Sequence, residues 1–312
     1  LPDIFKKVIV MKVQGSVSFL LLLLAVFICG DVNSQGVRES HDQDNVPTGK
    51  GYGVAAPIGS PAPIGDGHQI QFHGGPLMVG PTQIYYIWYG DWTKSPAAHG
   101  ILRDLANQIG DSALFATNST YHDLEGQTIK GPVFFAGEVF DDYSKGKSLS
   151  DNDVESIVQD TLKRSALPED PKGIYFVLTS SDVDETTGFC NTYCAWHSHM
   201  KTPTSEIKYA FVGDTERCPT SCQSQPVGPN GKGGGDGMAN SLVKELLSTT
   251  SDPELTAWYD GKGRENGDLC DWNFGPTYRA NNAKANMKVG ARDFLLQQNW
   301  VNQSGAGCQS RP

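Results

Sequence analysis

Gln83-Ile-Tyr-Tyr-Ile-Trp-Tyr89 is an unbroken run of β-branched and aromatic residues, closed by Gly90-Asp91. Residues of this kind suit a pleated, buried surface and Gly-Asp is a turn signal, so the run predicts a strand inside a sheet. Downstream, Ile101, Leu102, Leu105 and Ile109 recur at helical spacing within 97–109, and Gly110 ends the pattern. Gly131-Pro-Val-Phe-Phe-Ala-Gly-Glu-Val-Phe140 predicts a second strand. Ser150 or Asp151 caps a helix with apolar positions Val154, Ile157, Val158 and Leu162. Gly173-Ile-Tyr-Phe-Val-Leu-Thr179 has the composition of a strand buried on both faces, and Lys208-Tyr-Ala-Phe-Val212 is another. Strands alternating with helices predict a single α/β domain over 68–312, a mixed sheet flanked by helices.

The N-terminal part reads differently. Residues 1–10 precede the first Met and are set aside as an upstream extension. Met11-Lys12 begins a basic region, and Val17 to Cys29 is apolar except for Ser18. That run is shorter than the roughly 20 apolar residues a membrane span needs. Val32 and Ser34 have the spacing for cleavage before Gln35, so 11–34 reads as a secretory signal peptide. The expectation is a secreted chain without membrane attachment after cleavage. Residues 35–67 become rich in Pro and Gly and lack periodicity, which predicts a disordered leader. The chain carries 35 Asp and Glu against 25 Lys and Arg, which disfavours nucleic acid and anionic membranes as partners.

Of 7 Cys, Cys29 leaves with the signal peptide. Cys190, Cys194, Cys218, Cys222, Cys270 and Cys308 remain. An even number in a secreted chain predicts disulfides, and spacing does not choose among the pairings. The two C-x3-C pairs are poor candidates for a thiolate zinc site in an oxidising compartment. Asn118-Ser-Thr and Asn302-Gln-Ser are glycosylation sequons, expected at the surface.

After a Gly-rich stretch, Asp236-Gly-Met-Ala-Asn-Ser-Leu-Val-Lys-Glu-Leu-Leu-Ser248 predicts an amphipathic helix with Asp236 as N-cap and Asp252-Pro253 as its end. Met238, Leu242, Val243, Leu246 and Leu247 share one half of the helix. Ser241, Lys244 and Ser248 fall on the other, with Glu245 at the border, and the expectation for Lys244 and Ser248 is a solvent-exposed face or a disused cleft. The Gly-rich stretch is not a phosphate loop, because it lacks the G-x4-G-K-[S/T] order, and no G-x-S-x-G elbow is present.

Ile84-Tyr-Tyr-Ile-Trp-Tyr-Gly-Asp-Trp92, Asn118-Ser-Thr-Tyr-His-Asp123, Cys190-x3-Cys194-Ala-Trp-His-Ser198, Asp236-Gly-Met238, Asp252-Pro253, Ala257-Trp-Tyr259 and Gly267-Asp-Leu-Cys270 together resemble the Exordium / phosphate-induced protein family. The resemblance covers about residues 68–308. It implies an extracellular or cell-wall location, a link to growth and cell expansion, and binding of cell-wall polysaccharide or an extracellular protein. The family's helix typically reads like His-Glu-Leu-Ala-Glu, which implies a zincin-like helix with ligands one turn apart and an adjacent Glu base. Here the ligand positions hold Lys244 and Ser248, and Glu245 alone remains as the candidate catalytic base. An ammonium repels a divalent cation, so no cofactor is expected, with zinc or calcium as the alternatives.

His197 and His199, two residues apart, would point to one face of a strand, which makes them candidate metal ligands together with Glu265 and Asp268. Trp92, Trp258 and Tyr259 are the candidate sugar-stacking aromatics. Two functions remain open: a non-enzymatic extracellular binding protein, and a zincin-like hydrolase with a relocated site.

Overall fold

β1 (Thr82–Tyr89) sends alternate side chains into two cores: Ile84, Tyr86 and Trp88 into one, Tyr85, Ile87 and Tyr89 into the other. This period of two is what a strand covered on both faces requires. The computed structural model describes residues 46–50, 70–231, 234–303 and 305–312, all within one compact unit, Asp42–Pro312. The signal peptide reading at 11–34 lies outside the described residues. Of the segment 35–67, residues 46–50 are described.

The remaining core elements follow in chain order: α1 (Pro96–Gln108), β2 (Val133–Asp141), α2 (Asp151–Lys163), β3 (Gly173–Thr179), β4 (Ala195–Lys201), β5 (Glu206–Gly213) and α3 (Gly235–Ser251). The sheet order is β2-β1-β3-β5-β4. Its first four strands run parallel, and β4 returns antiparallel to β5 along one edge, pairing His197 with Ala210. α1 and α3 cover the face carrying Ile84, Phe176 and Val212. α2 covers the opposite face through Val154, Ile157 and Val158. The mixed α/β sheet flanked by helices is the expected architecture. Short hairpins at Tyr278–Ala285 and Met287–Phe294 follow, and Val289, Phe294, Leu296 and Trp300 close the α1/α3 core.

Three disulfides staple the C-terminal half: Cys190–Cys218, Cys194–Cys222 and Cys270–Cys308. The first two tie the approach to β4 to the segment after β5. The third ties the loop after α3 to the C-terminal strand pair.

Several expectations need correction. The N-cap of α3 is Gly234, and the Asp236 carboxylate instead accepts hydrogen bonds from Asn230 N and Nδ2 at 2.9 and 2.7 Å. Asn118 is not at the surface. Its side-chain nitrogen is buried and donates to Leu247 O and Thr250 Oγ1, both at 2.8 Å, so the folded protein presents no acceptor nitrogen there. Asn302 is half-buried. The aromatic candidates are also interior. Trp92 packs edge-on against Trp88, Trp258 against Phe72 and Tyr121, and Tyr259 stacks on His73 at 3.6 Å. Their exposures are 4 %, 5 % and 7 %, so none offers a face to a sugar.

Candidate functional site

α3 is not amphipathic in its surroundings. Every residue from Met238 to Ser251 is buried, including Ser241, Lys244, Glu245 and Ser248. The polar half, expected at solvent or in a cleft, is covered by β4 on one side and by the loop Glu265–Asp271 on the other. Burying such side chains calls for partners: the loop supplies them to Lys244 and Ser248, and His197 on β4 supplies one to Glu245.

A hub of amides holds that loop against the helix. Asn266 donates through Nδ2 to Ser251 Oγ at 2.9 Å, and its Oδ1 accepts from Ser248 Oγ at 3.0 Å and from Gly267 N at 2.7 Å. Asn299 donates to Asn118 Oδ1 at 2.8 Å, tying in the C-terminal strand. Ser248, at the second expected ligand position, is therefore a structural hydroxyl. Gly267 is needed here because a Cβ would lie 2.8 Å from Lys244 Cγ.

The Lys244 ammonium sits between two carboxylates, 2.9 Å from Asp268 and 3.0 Å from Asp271. Burial opposes its charge, but Asp268 and Asp271 prevail and hold its pKa well above the usual lysine value. Asp271 is pushed up to about 7, first by burial, with Lys244 pulling against it. Asp268 also accepts Glu265 N at 3.0 Å. A 3₁₀ turn at Asp268–Cys270 brings Asp268 and Asp271, three residues apart, onto one side.

The second charged group is centred on His197, fully buried on β4. Its Nδ1 donates to Glu245 Oε2 at 3.0 Å, and its Nε2 lies 3.4 Å from Glu265 Oε1. Burial alone would lower its pKa; Glu265 and Glu245 outweigh that and raise it to about 9. Glu265 is pushed well above the carboxylate range by burial, eased by the His197 charge and reinforced by Asp252 and its other acidic neighbours. Asp252 is raised too, by burial, although its Oδ1 accepts from Thr256 N and Ala257 N at 2.6 Å. His197 Nε2, Glu245 Oε1, Glu265 Oε1 and Asp252 Oδ2 are buried without a hydrogen-bond partner among the described residues.

Four of the candidate residues, Glu245, His197, Glu265 and Asp268, do converge around α3. His199 does not join them. Its Nδ1 bonds Glu206 on the neighbouring strand β5, so it is corrected to a surface-side pair. Within this group the polar side chains face one another. A catalytic zinc needs three protein donors and a structural one four. His197 turns one ring nitrogen to Glu245 and the other toward Glu265, and Asp268 is engaged by Lys244. Among the described residues, no group of three or more His, Cys, Asp or Glu is arranged to hold a metal. The cavity along the helix, lined by Asn240, Ser241, Lys244, Glu245, Asp271 and Trp272, has room for about 10 Å³, no more than a water.

Sequence reasoning did not single out Asp252, Asn266 or Asp271 as site residues. The Asp268/Asp271 spacing was the available signal for one of them. Among the described residues no helix is long and apolar enough to cross a membrane.

No solved structure matches the chain. A profile of the phosphate-induced protein 1 conserved region matches residues 70–292. Protein EXORDIUM-like 5 of Arabidopsis thaliana is 31 % identical over 277 residues, covering 74 % of this chain and 75 % of that protein. Protein EXORDIUM-like 3 of the same plant is 31 % identical over 239 residues, covering 66 % and 70 %. Protein PHOSPHATE-INDUCED 1 of Nicotiana tabacum is 27 % identical over 222 residues, covering 62 % and 68 %. With a profile match running from the segment before β1 into the hairpin Met287–Phe294, this chain belongs to the Exordium / phosphate-induced protein family.

Proposed function

We propose that this is a secreted, non-enzymatic binding protein of the cell wall or apoplast that acts in growth control through extracellular partners. The observation that carries this reading is the Lys244 ammonium held between Asp268 and Asp271. It places a permanent organic cation where a zincin-like hydrolase would present a metal ligand, and the adjacent Glu245 is spent on His197. A general base must reach a water or substrate proton, and Glu245 is 2 % exposed beside a water-sized cavity. Three disulfides support an oxidising, extracellular setting. The buried state of Trp92, Trp258 and Tyr259 favours a protein partner over a wall polysaccharide.

The test is the metal content of the purified mature protein by elemental mass spectrometry after mild chelation, paired with peptidase and glycosidase assays. No stoichiometric metal and no hydrolysis are expected. About one zinc per chain, with metal-dependent hydrolysis abolished by Glu245→Gln, would overturn the reading in favour of the hydrolase.

A further inference from the structure

Val46–Lys50 lies against the outer edge of β4. β4 has a sheet neighbour only on its β5 side among the described strands. On its free side, His197 N donates to Gly49 O at 3.1 Å. The approach is so close that a Cβ at Gly49, whose φ is +69°, would lie 1.9 Å from His197 O. Pro47 and Gly49 are buried while Val46 and Thr48 face out, and the chain bends at Gly49 where it touches the sheet edge.

Lys50 then enters a pocket built by the domain. Its Nζ is 2.5 Å from Asp151 Oδ2 and 2.8 Å from Thr187 Oγ1. It also lies 5.3 Å from the ring centre of Tyr193 and 5.4 Å from that of Trp196, within cation–π range. The pocket also carries bonds of its own. Thr187 Oγ1 donates to Asp151 Oδ1 at 2.7 Å, and Tyr193 OH donates to Glu185 Oε2 at 2.6 Å. Asp151 opens α2, where a negative charge is favoured by the helix dipole. Burial would raise its pKa; the Lys50 and Thr187 hydrogen bonds more than offset that and keep it below the usual carboxylate range. Beside the segment runs a groove of about 310 Å³ lined by Thr48, Gly49, Lys50, Lys262, Glu265 and Asp268 among others.

We propose that the free edge of β4 and the Asp151/Thr187/Tyr193/Trp196 pocket form a recognition site for a peptide that bends at a Gly-Lys pair, occupied in cis by the protein's own Val46–Lys50. This rests on the binding-protein reading above and names the class of partner: a protein segment with a glycine for close backbone approach and a lysine for the anionic, aromatic pocket. The tethered segment competes at high effective concentration, so the intact chain resists such peptides and a partner must displace the segment.

The probe is an amidated, fluorescein-labelled Val-Pro-Thr-Gly-Lys peptide, with a Val-Pro-Thr-Gly-Ala control, read by fluorescence anisotropy. The proteins are the full mature chain, its Lys50→Ala variant, and Lys50→Ala combined with Asp151→Asn. Lys50→Ala should bind the lysine peptide about a hundredfold more tightly than the unaltered chain. It should prefer that peptide over the alanine control about tenfold, and Asp151→Asn should erase the preference. Circular dichroism melts establish that each variant is folded; Gly49→Ala in the full chain, which displaces the segment by collision, is the second route to the same open pocket. Equal binding of both peptides, or binding of neither by both opened variants, overturns the proposal. Metal analysis of the same preparations separates the two readings: no peptide binding without zinc sinks this inference alone, whereas zinc with hydrolysis sinks the binding-protein reading.

Discussion

α2 and α3 carry the same signature, an apolar stripe opposed by a polar one, and they end in opposite surroundings. α2 buries Val154, Ile157, Val158 and Thr161 and leaves its charges at the surface, where Asp160 pairs with Lys145 at 2.9 Å and 44 % exposure. α3 buries both stripes. What differs is not the helix but what covers it. The loop Glu265–Asp271 brings partners to the polar stripe of α3 and buries it, while the partners that reach the charges of α2 leave them part-exposed. A hydrophobic period reports that a helix has an apolar face; it does not report that the other face is wet.

This contrast breaks most directly at Lys244. Lys244→Ala leaves Asp268 and Asp271 buried without their cation, and removing one member of a buried charge group costs about 3–5 kcal/mol. Denaturant unfolding should show that loss. Adding Asp268→Asn and Asp271→Asn should recover a large part of it, because the stranded charges are then gone. A Lys244→Ala variant as stable as the parent would mean that the carboxylates already hold protons, and the ion-pair account of the site would fall.

Titration is the next lever. His197 has its folded pKa raised to about 9, so it contributes stability below its unfolded value near 6.5 that is lost as pH rises through about 9. Asp214 and Asp271, raised to about 6 and about 7, favour their neutral forms when folded, and ionising them costs stability as pH climbs from about 4. Glu265, Asp252, Asp236 and Glu185 are raised in the same sense. His99, lowered first by burial, acts the other way near pH 6. The net slope is negative: stability should fall by about 2–3 kcal/mol between pH 6.5 and 9, since a tenfold change in proton affinity is worth about 1.4 kcal/mol. Carboxylates held low, such as Asp153 and Asp160, matter only below the range where free carboxylates titrate. Melting curves across this window check the sign, and a midpoint that rises toward pH 9 would contradict the protonated core.

Glu245→Gln is a gentler break in the same region. The amide can still accept from His197 Nδ1 but carries no charge, so the histidine pKa should drop from about 9 and stability should fall by about 1–3 kcal/mol. NMR titration of the imidazole reads the first effect. An unchanged histidine pKa would assign the stabilising charge to Glu265 and Asp252.

Much of the sheet was legible because its strands are locally consistent. Gly173–Thr179 is buried at every position and reads so. The edge strand Ala195–Lys201 mixes His, Ser and Trp, because one face meets α3 and the end is open, and its alternation is weak. The residues of the site were legible as types, since His197, Glu245, Glu265 and Asp268 are the chemistry-bearing groups of their segments. Their pairing was not. His197 and Glu245 lie 48 positions apart, and the bond exists only because β4 forms the edge beside α3. Asn118 shows the converse: a surface sequon by pattern, a buried amide hub by fold, because Leu247 O and Thr250 Oγ1 take its nitrogen.

The smallest effect belongs to the helix that sequence describes well. Ser150 caps α2 in a reciprocal box: Asp153 N donates to Ser150 Oγ at 3.3 Å, and Ser150 N donates to Asp153 Oδ2 at 2.8 Å. Ser150→Ala removes one half of that box in a partly exposed turn where water can take over the freed amide. The expected cost is about 1 kcal/mol, a shift of about 2–4 °C in the melting midpoint for a domain of this size. A loss matching that of Lys244→Ala would show that the start of α2 is itself a packed site. That would tie it to the Asp151 pocket, which begins at the next residue, and would end the distinction between the wet helix and the buried one.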